Sequence, residues 1–238
     1  MKVGLLSYRS HPYSGGQGVY IKHLSKALKN LGHEVSVLSG PPYPELDSGV
    51  NLIKIPSLGL FESGERLKAF RLRFLWSPID LYEWTTVMTG GFPEPYTYGK
   101  RVFNRLKEND LKLDVLLDNQ SLSSSLLEIQ AHYPLAVTIH HPITKDHKLE
   151  MQNAINWKER LSSSRWHNFL HMQKKVAPQL KNIICVSQPS KEDVISEFKV
   201  DEKKITVIPN GIDIGIFKPT SLKKSFSFRI VTTASEDI

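Results

Sequence analysis

The apolar residues between Lys2 and Leu38 follow two different spacings, which predict a strand, a helix and a second strand. The bulky apolar run in Lys2 to Tyr8 is typical of a buried strand. From Gly18 to Leu31 the apolar residues recur at helical spacing, with lysines on the other side. Glu34 to Leu38 is again strand-like. Together these segments have the size of a βαβ unit, in which the two strands are parallel.

The alternation of strand and helix patterns continues along the rest of the chain. Further strands are predicted at Val50 to Ile55, Leu113 to Asp118, Leu135 to His140, Asn182 to Ser187, Ile205 to Ile208 and Phe226 to Thr233. Helices are predicted at Glu65 to Trp76, Pro78 to Thr89, Pro95 to Lys107, Leu122 to Ala131, His147 to Asn156, Arg165 to Ala177 and Pro189 to Phe198. This order predicts an α/β fold, a Rossmann-like parallel sheet with helices on both faces.

Composition narrows the class of protein. The chain has 238 residues, 40% of them hydrophobic and 23% charged, which is typical of a soluble globular protein. No apolar run approaches the roughly 18–20 residues that cross a bilayer. The single cysteine, Cys185, lies in an apolar run and has no partner for an internal disulfide. We therefore expect a buried strand cysteine rather than a reactive thiol, and a cytoplasmic location.

The net charge of +7 favours anionic partners such as nucleotide phosphates, acidic lipid or nucleic acid. The sequence has neither zinc-finger spacing nor an aromatic and basic RNA-binding signature, so we predict no nucleic-acid partner. Basic and apolar residues between Arg66 and Trp76 allow two interpretations. The segment either lies on acidic membrane lipid or packs as a helix with solvated arginines, and its scattered apolar positions favour the second.

Candidate chemistry lies just after the predicted strands, because parallel sheets bind ligands at the carboxyl ends of their strands. Polar segments containing glycine, histidine or amide side chains follow at Arg9 to Gly18, Ser39 to Tyr43, Asp118 to Gln120, His140 to Pro142 and Ser187 to Gln188. Their common position predicts one binding site at this edge of the sheet.

Three glycines, Gly15, Gly16 and Gly18, stand at the start of the first helix. Bare backbone N–H groups there favour an anion, with help from the helix dipole. The alternative is a tight turn that needs glycine only for its backbone angles. The spacing matches neither the dinucleotide pattern G-x-G-x-x-G nor the lysine-containing phosphate loop, so both interpretations stay open.

His140 and His141 follow a strand and precede a proline, a setting that predicts a role in the site. Histidine binds sugar hydroxyls or phosphates, or acts as a base. Neighbouring side chains on a strand point in opposite directions, so we expect only one of the two to face a ligand.

Asn119 is a candidate ligand for polyol hydroxyls, with helix capping as its alternative role. No metal-binding spacing is present, and we predict no metal.

Four separated segments carry a resemblance to a known family. They are Gly15-Gly16 ahead of Gly32-His33-Glu34-Val35, then Thr138-Ile139-His140, then Val186-Ser187, then Val207 to Asp213 followed by Phe217 and Pro219. In identity, order and spacing they are similar to the retaining nucleotide-sugar glycosyltransferases of family 4, which have the GT-B fold. The resemblance covers nearly the whole chain, and Asn210 to Asp213 is its most specific part.

The resemblance implies two Rossmann-like domains that face each other across a cleft, the first for the acceptor and the second for the nucleotide-sugar donor. Gly15 and Gly16 would bring backbone N–H groups to the donor diphosphate. His140 would be the catalytic residue, facing the transferred sugar or its leaving group. Ser187 and Asn210 would line the cleft, and Asn119 and His141 complete the expected binding residues. Transfer would retain anomeric configuration, without metal or other cofactor, to a sugar or lipid-linked acceptor.

The same resemblance sets the expected domain organisation. Residues 1–219 would form the acceptor-side domain, and residues 220–238 a linker and the first strand of a donor domain. We expect the 238-residue chain to show little transfer without the rest of that domain. The alternative is a non-catalytic module that pairs with a separate donor-domain protein. An oxidoreductase is disfavoured by the glycine spacing and by Ser39-Gly40, which stands where a ribose-binding acidic residue belongs. We expect a cytoplasmic location, with the inner face of the membrane as one place within it.

Overall fold

One parallel sheet of seven strands organises the computed structural model, which describes residues 1–13, 16–61, 70–108, 110–215 and 218. The strands are β1 (Lys2–Ser7), β2 (Glu34–Ser39), β3 (Asn51–Lys54), β4 (Val115–Asn119), β5 (Leu135–Ile139), β6 (Ile183–Cys185) and β7 (Ile205–Val207). Their order across the sheet is β3-β2-β1-β4-β5-β6-β7. The winding direction therefore reverses between β1 and β4, as in doubly wound Rossmann-like sheets.

Helices connect the strands. They are α1 (Gly16–Asn30), α2 (Pro78–Met88), α3 (Glu94–Lys107), α4 (Ser125–His132), α5 (Thr144–Asn153), α6 (Trp157–Trp166), α7 (Phe169–Val176) and α8 (Gln188–Phe198). Short 3-10 helices occupy Leu72–Trp76, Ala177–Gln179 and Glu202–Lys204. Most predicted elements are present, with ends shifted by a few residues.

Successive residues of β1 enter two different hydrophobic clusters, as the alternation of side chains along a strand requires. Leu5 packs in the cluster that contains Ile21 of α1. Leu6 packs in the cluster that contains Val102 of α3 and Leu126 of α4. Helices therefore cover both faces of the sheet, and the predicted Rossmann-like α/β class is confirmed.

The helix predicted at Glu65 to Trp76 is wrong over its described part. Residues 62–69 lie outside the described residues, and Leu72–Trp76 form only a short 3-10 helix. Pro78 disfavours a helical conformation at the residue before it, and Ser77 is accordingly extended, with φ −120° and ψ 102°. The Ser77 hydroxyl then accepts from the Asp80 amide at 3.3 Å and begins α2 as a separate helix.

The region between β5 and β6 contains three helices where the sequence pattern predicts two. α6 was missed because none of its residues is buried, so it has no apolar periodicity. Its start nevertheless carries a capping signal. The Asn156 side chain accepts from the Glu159 amide at 3.0 Å, and the Glu159 carboxylate accepts from the Ile155 amide at 2.8 Å. This arrangement is close to a capping box, which is readable from the sequence.

Several predictions fall on residues that the structure does not describe. They are the loop positions Ser14 and Gly15, the family positions Phe217 and Pro219, the boundary between residues 219 and 220, and the strand Phe226 to Thr233. Cys185 lies in the described part, is buried and is unpaired, as predicted for a strand cysteine. Burial raises the pKa of its thiol to about 11, so it is a poor nucleophile at neutral pH.

Candidate functional site

The predicted site residues lie at the carboxyl edge of the sheet, and several of them meet where the winding reverses. The first turn of α1, the end of β4 and the end of β5 are neighbours there. In open parallel sheets this crevice is the usual position of a ligand. The sheet order itself thus brings together residues that are far apart in sequence.

His140 is fixed by contacts with four different residues. Its Nε2 donates to Asn119 Oδ1 at 2.8 Å, and its backbone N–H donates to Gln120 Oε1 at 2.6 Å. Its carbonyl accepts from Ser190 Oγ at 2.6 Å. The Tyr20 ring lies edge-on to the imidazole, with centroids 4.7 Å apart. Both the backbone and the ring of His140 therefore have one defined orientation.

The electrostatics keep this imidazole neutral. Burial, together with a smaller effect of the neighbouring His141, lowers the pKa of His140 to about 4. The Asn119 amide oxygen is an acceptor only, so Nε2 carries the proton and Nδ1 does not. Among the described residues nothing bonds to Nδ1. At neutral pH His140 thus presents one free hydrogen-bond acceptor in the crevice.

The loop after β4 has an unusual backbone that supports this arrangement. Gln120 and Leu122 have φ values of 56° and 49°, in the left-handed region that such residues rarely adopt. The Asp118 carboxylate accepts from the Ser121 amide at 2.8 Å and from the Ser121 hydroxyl at 2.6 Å. These bonds hold the chain in a turn. The predicted helix start at Leu122 is therefore wrong, and α4 begins at Ser125.

Burial also shifts the pKa of Asp118, upward rather than downward as for His140. Removal from water raises the pKa of its carboxyl to about 6, against the three donors from Ser121 and Leu122 that favour the charged form. Positive φ at two neighbouring residues costs of the order of 1–3 kcal/mol each, and such costs concentrate at functional sites. The loop after β4 is thus shaped to hold Gln120 against His140.

His141 points away from its neighbour, as expected for adjacent residues at a strand end. It is exposed, and its Nε2 lies 3.2 Å from Asp146 Oδ2. Its carbonyl accepts from Gln120 Nε2 at 2.9 Å. Gln120 therefore bridges the backbones of both histidines. A substrate contact by His141 stays a prediction.

The two described glycines in the first turn of α1, Gly16 and Gly18, have different surroundings, and Gly15 lies outside the described residues. At Gly18 an added Cβ would lie 2.0 Å from the His11 carbonyl oxygen, so packing alone requires glycine there. At Gly16 an added Cβ would meet nothing within 4 Å, and its φ is not positive. Neither sterics nor backbone angle explains Gly16, which is exposed, and its contact with a phosphate stays a prediction.

Ser187 and Asn210 have different surroundings. Ser187 caps α8 by accepting from the Ser190 amide at 3.2 Å, and its hydroxyl donates to that of Ser190 at 3.1 Å. It thereby supports the serine that bonds His140. Asn210 is exposed beyond β7, two strands from β5, or about 10 Å by strand spacing. The structure does not bring Asn210 to His140, and its binding role stays a prediction.

Two residues of the site were not singled out by the sequence pattern. Tyr20 was assigned to the apolar face of α1, yet its hydroxyl also lies 3.4 Å from Thr138 Oγ1. Ser190 lies 50 residues from His140 in the chain, and no spacing rule joins them. Asn119 was expected to bind ligand, but it is 1% exposed and contacts His140 directly. Its contact with a ligand stays a prediction.

Two kinds of feature are absent from the described ranges. Those ranges contain no group of three or more His, Cys, Asp or Glu side chains arranged to hold a metal ion. None of their helices combines the length and the apolar character needed to cross a bilayer.

Comparison with known sequences agrees with the resemblance to family 4 glycosyltransferases. The family model described as Glycosyltransferase Family 4 matches residues 14–215. The chain is 42% identical over 240 residues to the MMP alpha-(1->4)-mannosyltransferase of Mycolicibacterium hassiacum, covering 100% of this chain and 58% of that protein. It is 26% identical to a phosphatidylinositol N-acetylglucosaminyltransferase component of Arabidopsis thaliana, covering 94% of this chain and 43% of that protein.

Solved structures give more distant matches. A glycosyltransferase from Rickettsia africae has a TM-score of 0.46 and 19% identity, with 93% of this chain and 46% of that chain covered. A UDP-glucose:anthocyanidin 3-O-glucosyltransferase in complex with UDP has a TM-score of 0.46 and 10% identity, with 87% and 52% covered. The chain thus spans about half the length of the relatives it matches. The match of the family model to most of its residues establishes that the chain belongs to Glycosyltransferase Family 4.

Proposed function

We propose that this chain forms the acceptor-side half of a retaining glycosyltransferase. The enzyme would move a hexosyl group from a nucleotide-sugar to a sugar or lipid-linked acceptor, with mannose as the first candidate. Family membership supports glycosyl transfer, and the relative from M. hassiacum, named a mannosyltransferase, supports the choice of sugar. Retention of configuration rests on the family resemblance alone.

The neutral, oriented imidazole of His140 carries the proposal. With Nε2 bonded to Asn119, the free Nδ1 accepts a hydrogen bond from a hydroxyl of the transferred sugar. A pKa of about 4 makes the ring a weak base, so its contribution is orientation of the sugar rather than removal of a proton. Such alignment of reacting groups lowers the barrier because it fixes the sugar before the reaction begins.

The donor diphosphate would lie at the first turn of α1, beside the exposed N–H group of Gly16. A departing nucleoside diphosphate also needs positive charge. Arg9, the cation that precedes this turn in the loop after β1, is already paired with Glu94 at 3.2 Å. We therefore propose that the cations for the leaving group come from a donor domain, which would also contact Asn210, and that no metal takes part.

The test is a transfer assay with two proteins. One is the 238-residue chain, and the other is a fusion of this chain to the part of the M. hassiacum relative that it does not cover. We expect the fusion to transfer mannose from a nucleotide-linked donor, and the anomeric proton in the product NMR spectrum to report retention. Because the sugar would lose its alignment, His140→Ala in the fusion should lower kcat/KM by about 100-fold.

Donor binding by the fusion, measured as a thermal shift, separates failure of assembly from failure of the proposal. A fusion that binds nucleotide-sugars but transfers none of them would contradict glycosyl transfer. Inversion of configuration would contradict the retaining mechanism. Transfer by the 238-residue chain alone would contradict the need for a donor domain.

A further inference from the structure

A groove separate from the crevice lies between α5 and α6. Its volume is about 600 Å³, within the range of small-ligand sites. The lining includes Leu149, Glu150, Asn153, Glu159, Ser162 and Trp166. Among the described residues that line this groove, none is a lysine or an arginine. The groove therefore departs from the basic character of the whole chain and is unsuited to phosphate.

The polar groups of the groove are held in place by the fold. Glu150 Oε2 accepts from Ser163 Oγ at 2.7 Å and lies 3.6 Å from His167 Nδ1. Glu159 accepts from Asn156 Nδ2 at 2.8 Å. Both carboxylates keep unused lone pairs that can accept from hydroxyl groups. Fixed carboxylates, a nearby amide and the Ser162 hydroxyl suit a ligand that is neutral and rich in hydroxyls.

Trp166 adds an aromatic surface to these polar groups. One face of its ring stacks on Phe92, with centroids 5.1 Å apart and the planes at 26°. Phe61 packs edge-on to the same ring, with centroids 5.5 Å apart. Trp166 is nevertheless 40% exposed as a residue, and it lines the groove. A rigid aromatic ring beside hydrogen-bonding groups is the arrangement that matches a sugar, which has an apolar C–H face and a rim of hydroxyls.

Packed side chains and α5 connect the groove with the crevice. Phe92, behind Trp166, lies 6.3 Å from the Tyr8 ring, and the Tyr8 hydroxyl accepts from Gln17 Nε2 in the first turn of α1. α5, the other wall of the groove, begins three residues after His141. α5 thus runs from the end of β5 to the groove, which its C-terminal half lines.

We infer that the groove between α5 and α6 is a saccharide subsite, which binds a sugar unit of the acceptor at some distance from the unit that receives the transferred hexose. This inference rests on the proposed function. It names an oligosaccharide, rather than a single sugar or a lipid head group alone, as the acceptor class. Trp166 would provide the stacking surface, and Glu150, Glu159 and Ser162 the hydrogen bonds.

The experiment is an NMR titration of the 238-residue chain labelled with ¹⁵N. The four tryptophans of the chain give separate indole signals, and Trp166→Phe identifies the signal of Trp166. The probes are an α-(1→4)-linked mannotetraose, methyl α-D-mannopyranoside and inorganic pyrophosphate. We expect saturable shifts of the Trp166 indole with mannotetraose, weaker ones with the monosaccharide, and none with pyrophosphate.

A matched pair of variants tests the place of binding without removing the stack on Phe92. Ser162→Tyr places a bulky ring in the groove, whereas Ser164→Tyr adds the same side chain at another exposed position of α6 that does not line it. Ser162→Tyr should weaken mannotetraose binding by at least about tenfold, and Ser164→Tyr should leave it within about twofold. In the fusion enzyme, Ser162→Tyr should raise KM for mannotetraose while kcat and the donor KM stay the same.

An unshifted Trp166 indole at millimolar mannotetraose would overturn the inference, as would equal effects of the two tyrosine variants. Pyrophosphate binding in the groove would also overturn it, in favour of an anion site. The titration contains no donor, so its result is independent of transfer. Transfer by the fusion without a Trp166 shift would contradict the saccharide subsite but not the proposed function. A Trp166 shift without transfer would contradict the proposed function but not saccharide binding in the groove.

Discussion

Four contacts position His140, and they come from α1, from the end of β4 with the loop after it, and from α8. Asn119 fixes the ring, Gln120 and Ser190 fix the backbone, and Tyr20 covers one side. Loss of one contact would leave the others, so we expect single substitutions around His140 to affect its ionisation and orientation more than they affect folding.

The low pKa of His140 predicts how stability depends on pH. Between the ordinary value of 6.5 and the folded value of about 4, the unfolded chain binds more protons than the folded chain. The stabilising effect of the neutral ring is therefore present above pH 6.5 and is lost as pH falls through this window. After allowance for the partial exposure of the ring, the loss is roughly 1–2 kcal/mol.

Urea unfolding of the wild type and of His140→Phe at pH 7 and pH 4.5 measures this loss. We expect the wild type to lose stability relative to the variant at the lower pH. Asp118, whose raised pKa acts in the opposite direction, is present in both proteins and cancels in the difference. A stability difference that does not change with pH would contradict the low pKa of His140.

Substitution of Asn119→Asp should reverse the ionisation of His140. A carboxylate in place of the amide would lie beside Nε2, and an opposite charge at that distance raises the pKa of histidine. We expect the NMR titration midpoint of His140 to move from about 4 to above 6. Asn119→Leu is the control, because it removes the hydrogen bond without adding charge and should leave the midpoint low. Equal midpoints in both variants would show that Asn119 does not set the ionisation.

At the scale of elements, α1 places two glycines, two positions apart, in surroundings with different requirements. The first turn of α1 packs against the loop after β1 at Gly18, and it exposes its backbone at Gly16. The sequence alone gives the two positions the same appearance. Only the approach of the His11 carbonyl, which comes from a neighbouring loop, distinguishes packing from an open N–H group.

Alanine at the two positions should therefore change stability to different extents. Gly18→Ala should lower the free energy of unfolding by about 1–3 kcal/mol, because its Cβ would overlap the His11 carbonyl. Gly16→Ala should change it by less than about 0.5 kcal/mol, since open space surrounds the site. In the fusion enzyme, Gly16→Ala should raise the donor KM. Urea unfolding and steady-state kinetics measure both, and a destabilised Gly16→Ala protein with unchanged donor KM would make Gly16 structural.

At the scale of the whole molecule, a buried ionic network ties α2 to the body of the domain. The Glu83 carboxylate, 2% exposed as a residue, pairs with Arg101 of α3 at 2.5 Å and accepts from the Leu58 amide at 2.9 Å. Arg101 also pairs with Asp80 at 2.6 Å. Two helices and the segment after β3 thus meet at one carboxylate.

Glu83→Gln should lower the free energy of unfolding by about 2–3 kcal/mol, because it leaves the half-buried Arg101 with one carboxylate partner instead of two. Glu108→Gln is the matched control. It removes an exposed partner of Arg105, which lies on the same helix as Arg101, and should cost less than about 0.5 kcal/mol. Similar losses in chemical denaturation of the two variants would show that burial does not strengthen the Glu83 pair.

The fold could be predicted from the sequence because strands and helices alternate with strong apolar periodicity. The common position of the candidate residues at one edge of the sheet could be predicted, because each of them follows a parallel strand. α6 was missed because it buries none of its residues, although Asn156 and Glu159 signal its start. The contacts of Tyr20 and Ser190 with His140 were not predictable, since they depend on how distant elements pack.

The strand order has a consequence for synthesis of the chain. β1 pairs on one side with β4, and Val3 is opposite Val115, so more than a hundred residues separate the two partners. At a synthesis rate of about 5–20 residues per second, roughly 6–22 s pass between the synthesis of β1 and that of β4. During this time one edge of β1 and the apolar surface beside it have no partner, and nascent chains are exposed to aggregation. A fragment of residues 1–110 should therefore remain sensitive to protease, although it contains a complete βαβ unit.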